Sequence, residues 1–152
     1  MNIILFCGVL SIIIGSLGAI NQTKIKRLLA YSAIAHIGFM LMGLGIGTWE
    51  GYVATLMYAI IYMIMTLNTF TILLNNGYTY ITEFGGLSRF NPVLALTLAL
   101  AFLSVAGIPP LAGFLSKYIV LLAVVDQGIY LFPLLAIVAS VIGGFYYIRV
   151  VK

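Results

Sequence analysis

Ala106-Gly107-Ile108-Pro109-Pro110-Leu111-Ala112-Gly113-Phe114-Leu115-Ser116-Lys117 is the stretch on which the fold turns. It lies within residues 93–125, a run that is apolar apart from a few small polar residues and the Lys117 ammonium. As one straight helix, residues 92–125 would measure about 50 Å at 1.5 Å per residue, well beyond the roughly 30 Å of a bilayer core. Two consecutive prolines remove amide donors and clash with the preceding turn, so the helix is expected to break at Gly107-Ile108-Pro109-Pro110. The break frees carbonyls near Val105 and Ala106, and lipid cannot satisfy them. Broken helices at membrane depth are tolerated where protein buries them or where they line a hydrated cavity. A proline kink that absorbs excess length is the plainer account. Lys117 follows two turns later, and a lysine in hydrocarbon costs about 3 kcal/mol on insertion scales. That charge favours a functional break.

The rest of the chain gives lipid as the solvent. Of 152 residues, 64% are hydrophobic and 7% charged, with a mean hydropathy of +1.23; a soluble domain carries about 25% charged residues. Such a chain cannot cover a water-facing surface. The net charge of +4 comes from few positives sitting at helix ends, a pattern of topology-setting charges rather than of a nucleic-acid binder. Cys7 is the single cysteine, so no internal disulfide and no thiolate metal site are expected. Met1 leads into a spanning-length segment with no basic n-region and no small-residue cleavage site, so no cleavable signal is expected.

Five segments reach spanning length: about residues 2–20, 25–46, 52–74, 92–125 and 129–151. None alternates as a strand would, and an open sheet edge cannot face lipid. The fold class expected is all-α, with five transmembrane helices in one domain, the fourth broken. Turn residues mark the connections: Asn21-Gln22-Thr23, Gly47-Thr48-Trp49-Glu50-Gly51, a long loop from Asn75 to Asn91, and Asp126-Gln127-Gly128. With five crossings, Lys24, Lys26, Arg27, Arg89, Arg149 and Lys152 fall on the face of the C-terminus, while the opposite face carries Glu50 and Asp126. By the positive-inside rule the C-terminal face is the cytoplasmic or matrix one.

Few residues could carry chemistry. Lys117 stands about nine residues from Asp126, hence about 13 Å from that helix end. Its stem cannot easily snorkel to an interface from there, so the proton-carrier role is favoured over a snorkelling lysine. His36, about ten residues inside the second helix, is the other relay candidate, since imidazole titrates near pH 6.5; a hydrogen-bonded packing role is an equal account. No second histidine or carboxylate stands at ligand spacing, so metal binding is not expected. Tyr58, Tyr62 and Thr66 recur every four residues and share a face of the third helix, with Asn68 beyond them. That column supports a water path or simple aromatic packing. Tyr31, Ser32 and Ser104 are polar handles of low specificity. Phosphate loops, nucleophile–base sets, paired haem histidines and cysteine clusters are absent, so redox chemistry is expected on other chains.

Residues 22–39, Gln-Thr-Lys-Ile-Lys-Arg-Leu-Leu-Ala-Tyr-Ser-Ala-Ile-Ala-His-Ile-Gly-Phe, resemble a segment of the antiporter-like membrane subunits of respiratory complex I. The Ile-Ala-His-Ile-Gly ending (residues 34–38) is similar to the subunit 2 branch of that family. Gly85-Gly86-Leu87, the broken-helix stretch quoted above, and Phe145-Tyr146-Tyr147-Ile148-Arg149 resemble the loop and helices that follow it. The resemblance implies that Lys117 ends one proton half-channel, that His36 belongs to a hydrophilic axis, and that Lys26 stands near the channel's entry or exit. Tyr58, Tyr62 and Thr66 occupy positions where a related subunit carries two histidines and a lysine, which limits them to hydration.

The family fold has about fourteen helices in two inverted five-helix repeats, and this chain resembles its C-terminal portion. One half of an inverted repeat buries its polar groups against a partner. A split subunit is therefore expected, with a second polypeptide supplying the N-terminal half and a fragment of a longer chain as the alternative, and a few C-terminal helices are also expected to be missing. The function implied is a proton-translocating membrane-arm subunit of NADH:ubiquinone oxidoreductase in the mitochondrial inner membrane, its C-terminus in the matrix. It implies other membrane subunits and lipids as neighbours, no nucleic acid, and flavin, iron–sulfur clusters and quinone on partner subunits, with no cofactor on this chain. A subunit of a multi-subunit cation/proton antiporter and a purely structural membrane-arm subunit are the alternatives.

Overall fold

The computed structural model describes the backbone of residues 2–152 and the side chains of residues 3–152. Among these it is helical, in the order α1 (Asn2–Ile20), α2 (Ile25–Gly45), α3 (Trp49–Asn76), a 3-10 turn (Ile81–Gly86), α4 (Leu87–Phe90), α5 (Pro92–Ala106), α6 (Ala112–Asp126) and α7 (Leu131–Val151). Four helices, α1, α2, α3 and α7, are long and apolar enough to cross a bilayer. The fifth apolar segment is divided: α5 and α6 have 15 residues each, about 22 Å apiece at 1.5 Å per residue, and residues 107–111 join them.

Two expected loops hold more structure than their residues suggested. Thr48 is extended and its side chain accepts from the Gly51 amide at 3.2 Å, so Trp49, Glu50 and Gly51 form the first turn of α3. Glu50 then lies at the positive end of the helix dipole. In the stretch from Asn75 to Asn91, the Glu83 carboxylate accepts from the amides of Thr79 at 2.6 Å and Tyr80 at 3.2 Å, which winds the chain into the 3-10 turn. Those amides hold the Glu83 carboxyl below its ordinary pKa. Backbone bonds from Ile25 to Thr79 and from Ile81 to Thr23 fasten this stretch to the α1–α2 turn.

Small residues set how closely the helices pack. A Cβ on Gly8 would meet the Gly38 carbonyl at 2.9 Å, and one on Gly15 would meet the Tyr31 carbonyl at 2.7 Å, so α1 and α2 touch backbone to backbone. The interior forms two apolar clusters. One gathers Leu5, Val9, Ile12, Phe39, Met42, Val120 and Val124; the other gathers Leu28, Phe102, Val105, Tyr146 and Tyr147. Outward faces are also apolar, with Ile14, Leu56, Leu67, Val141 and Phe145 exposed, as lipid or helix contact requires.

Lysine and arginine side chains other than Lys117 gather at one end, together with Glu83, and the other two acids lie at the opposite end. At one end Arg149 donates to the Ile20 carbonyl at 3.1 Å, and Lys24 bridges to Tyr80. At the other, Glu50 and Asp126 line one groove between α3 and α6.

Candidate functional site

The break places the lysine. Gly107 ends α5 in the left-handed region, at φ +91°, where a Cβ would be strained. The Gly107 amide then donates to Ser104 and the Ile108 amide to Leu103, which satisfies two of the last carbonyls of α5. The next two, Val105 and Ala106, accept from Lys117 Nζ at 3.2 and 2.9 Å. The charge and the carbonyls stranded by the prolines thus satisfy one another. Lys117 reaches back from α6 because α6 lies tight on the end of α5: a Cβ on Gly113 would overlap the Ser104 carbonyl, and the Gly113 amide donates to Ser104 Oγ at 3.3 Å. The Lys117 ammonium also sits 5.7 Å from the centroid of the Phe39 ring.

His36 stands on the facing side of the same interior. It is buried, its Nδ1 pairs with Tyr58 Oη at 2.7 Å, and its ring stacks on Tyr62 with centroids 4.6 Å apart. His36 and Lys117 line one small cavity of about 20 Å³, room for about one water. The structure therefore brings Lys117, His36, Tyr58 and Tyr62 together. Thr66 stands apart, because its hydroxyl donates to its own helix at Tyr62 O and Met63 O, both 2.9 Å away. Lys26 is exposed at the basic end and lines a second cavity of about 130 Å³ with Thr66, Ser32 and Tyr62. Among the described residues no group of three His, Cys, Asp or Glu gathers as metal ligands, and Cys7 is exposed.

Sequence reasoning missed Tyr147 on α7. It is buried, hydrogen-bonds Ser32 Oγ through its hydroxyl, and stands 3.4 Å from His36 Nε2. The signal available was two consecutive tyrosines, Tyr146-Tyr147, in a helix whose other polar residues are Ser140 and Arg149.

Residues 1–143 match the family model described as NADH:quinone oxidoreductase/Mrp antiporter, transmembrane. The chain belongs to that family. It is 52% identical to NADH-ubiquinone oxidoreductase chain 2 of Metridium senile over 99% of its own length and 40% of the relative's. It is similar to a chain of Thermus thermophilus respiratory complex I, at 34% identity and a TM-score of 0.86 over 97% of its length. It also resembles a chain of the membrane-bound sulfane sulfur reductase, an archaeal respiratory membrane complex, at 38% identity and a TM-score of 0.86. It spans 34% and 25% of those two chains. The family membership agrees with the resemblance read from residues 22–39 and from the broken helix, and with a portion rather than the whole of the family fold.

Proposed function

We propose that this chain carries protons in the membrane arm of an NADH:ubiquinone oxidoreductase. The observation that supports this most is the Lys117 amine, held inside the helical bundle on Val105 and Ala106 and sharing a water-sized cavity with His36. An ionisable amine at that depth marks an ion path by default, and lysine exchanges a proton where arginine does not. Flavin, iron–sulfur clusters and quinone are assigned to partner subunits. Quinone reduction there changes the electrostatics along a row of buried titratable groups, and Lys117 and His36 respond as coupled sites.

The membrane is the mitochondrial inner membrane, with the basic end of the bundle, and hence the C-terminus, in the matrix. The partners are the other membrane-arm subunits, with the complementary helices of the family fold packed against this bundle.

In complex isolated from the native membrane and sealed into liposomes, Lys117→Met is expected to lower the protons moved per NADH oxidised. An unchanged ratio and rate would remove the role assigned to Lys117. Co-purification with flavin and iron–sulfur proteins separates this reading from that of an antiporter subunit.

A further inference from the structure

We propose that the hydroxyls of Tyr147 and Ser32 form a dry, proton-passing link between the Lys26 cavity and the cavity that holds Lys117 and His36. The proposal rests on the proton-carrying reading above and assigns a residue to it. Ser32 lines the 130 Å³ cavity whose other wall includes the exposed Lys26. Tyr147 lines the 20 Å³ cavity with Lys117 and His36. No cavity residue is shared between the two; the side-chain hydrogen bond across the partition joins Ser32 to Tyr147, beside the Lys117 Nζ bond to the Val105 backbone carbonyl, an acceptor that has no proton to pass on. The partition is closed to solvent: Ser32 and Tyr147 are each 2% exposed and His36 4%. Tyr62, stacked on His36, forms part of the same wall. Water stops at this wall, and a proton does not have to.

The step balances as an exchange of O–H bonds. A proton on water in the Lys26 cavity joins Ser32 Oγ while the Ser32 hydroxyl proton passes to Tyr147 Oη. The Tyr147 proton passes in turn to His36 Nε2, 3.4 Å away. This requires the tautomer with a lone pair on Nε2 and the N–H on Nδ1, directed at Tyr58 Oη. Both hydroxyls end neutral and His36 carries one added proton. His36 gives it, through the single water for which the small cavity has room, to an unprotonated Lys117 amine. Rotation of the two hydroxyls resets the link.

The test is proton transport by the whole complex in liposomes, as protons moved per NADH oxidised. Tyr147→Phe keeps the ring that seals the partition and removes the hydroxyl, so the ratio is expected to fall to that of Lys117→Met. Ser32→Ala is expected to do the same, and Ser32→Thr, which restores a hydroxyl, to recover it; a merely structural contact would not follow the hydroxyl in this way. Wild-type stoichiometry in Tyr147→Phe beside a lowered Lys117→Met overturns the link and leaves the lysine's role intact. The reverse pattern overturns the lysine's role and leaves the link standing. If Tyr147→Phe does not assemble, the Ser32 pair decides: loss in Ala with recovery in Thr supports the link, and wild-type transport in Ser32→Ala overturns it.

Discussion

Replacing Lys117 by arginine separates the hydrogen bonds this lysine makes from the proton transport proposed for it. Lys117 Nζ satisfies the carbonyls of Val105 and Ala106 at 3.2 and 2.9 Å, and an arginine offers five N–H donors for the same pair. The clamp on the broken helix should survive. Methionine loses it: two carbonyls left unmet cost about 1–3 kcal/mol each, offset by about 3 kcal/mol for withdrawing a charge from hydrocarbon. The net effect of Lys117→Met on stability is therefore small, about −1 to +3 kcal/mol of destabilisation. Transport behaves differently. Arginine holds its proton far more tightly than lysine and stays charged, so the deprotonated form that could take up a proton is lost. Lys117→Arg should thus assemble like the wild type, judged on native gels, and lose proton transport as fully as Lys117→Met in liposomes. Wild-type transport by the arginine variant would refute the reasoning, because a fixed charge would then suffice.

Three further outcomes follow from the packing and the loop. Gly113→Ala places a methyl against the Ser104 backbone carbonyl, and overpacking of this kind costs about 1–3 kcal/mol; a lower dissociation temperature of the complex checks it. Gly15→Val sets a branched side chain against Tyr31 O and Ala35 N, each 2.7 Å from the first added carbon, and should separate α1 from α2, read as lost cross-linking between cysteines placed on the two helices. Glu83 is held below its ordinary pKa of 4.5 by the Thr79 and Tyr80 amides. Its ordering of the 3-10 turn is therefore complete above about pH 4.5 and lost as pH falls through the lowered value. Amide exchange at Thr79 and Tyr80, corrected for intrinsic rates, should quicken at low pH, and at neutral pH in Glu83→Gln.

Local chemistry was legible in the residues and long-range contact was not. Pro109-Pro110 fixed where the helix breaks, and the two carbonyls expected to need partners are the two that Lys117 serves. That held because proline acts on its own turn. The first turn of α3 was misjudged because Trp49-Glu50-Gly51 reads as loop until Thr48 is seen as its cap. The 3-10 turn was missed because Glu83 acts across four residues that carry no helical periodicity. Tyr58, Tyr62 and Thr66 were placed on one face by spacing alone, yet spacing does not say where a hydroxyl points: Thr66 turned to its own backbone. Tyr147 lies 111 residues from His36, and nothing in the pattern of α7 tells which of its tyrosines meets that ring.

The interior around Lys117 is also asymmetric, and this bears on what one bundle of this kind can do. Toward the basic end lie two cavities and a chain of hydroxyls, from Lys26 through Ser32 and Tyr147 to His36. Toward Asp126, α6 presents Val120, Ala123 and Val124, each at most 5% exposed and packed with Phe39 and Met42. Close-packed aliphatic side chains hold no water and no proton. On the reading proposed above, a proton brought to Lys117 has a hydrogen-bonded way back toward the basic end and, ahead, aliphatic packing between the lysine and the open groove at Glu50 and Asp126. Net transport requires either α6 to repack about the break at residues 107–111 or an acceptor beside Lys117 on the complementary part of the fold. The two differ in where a substitution matters. Enlarging Val124 to Leu would hinder the first by tightening the barrier, and would leave the second untouched.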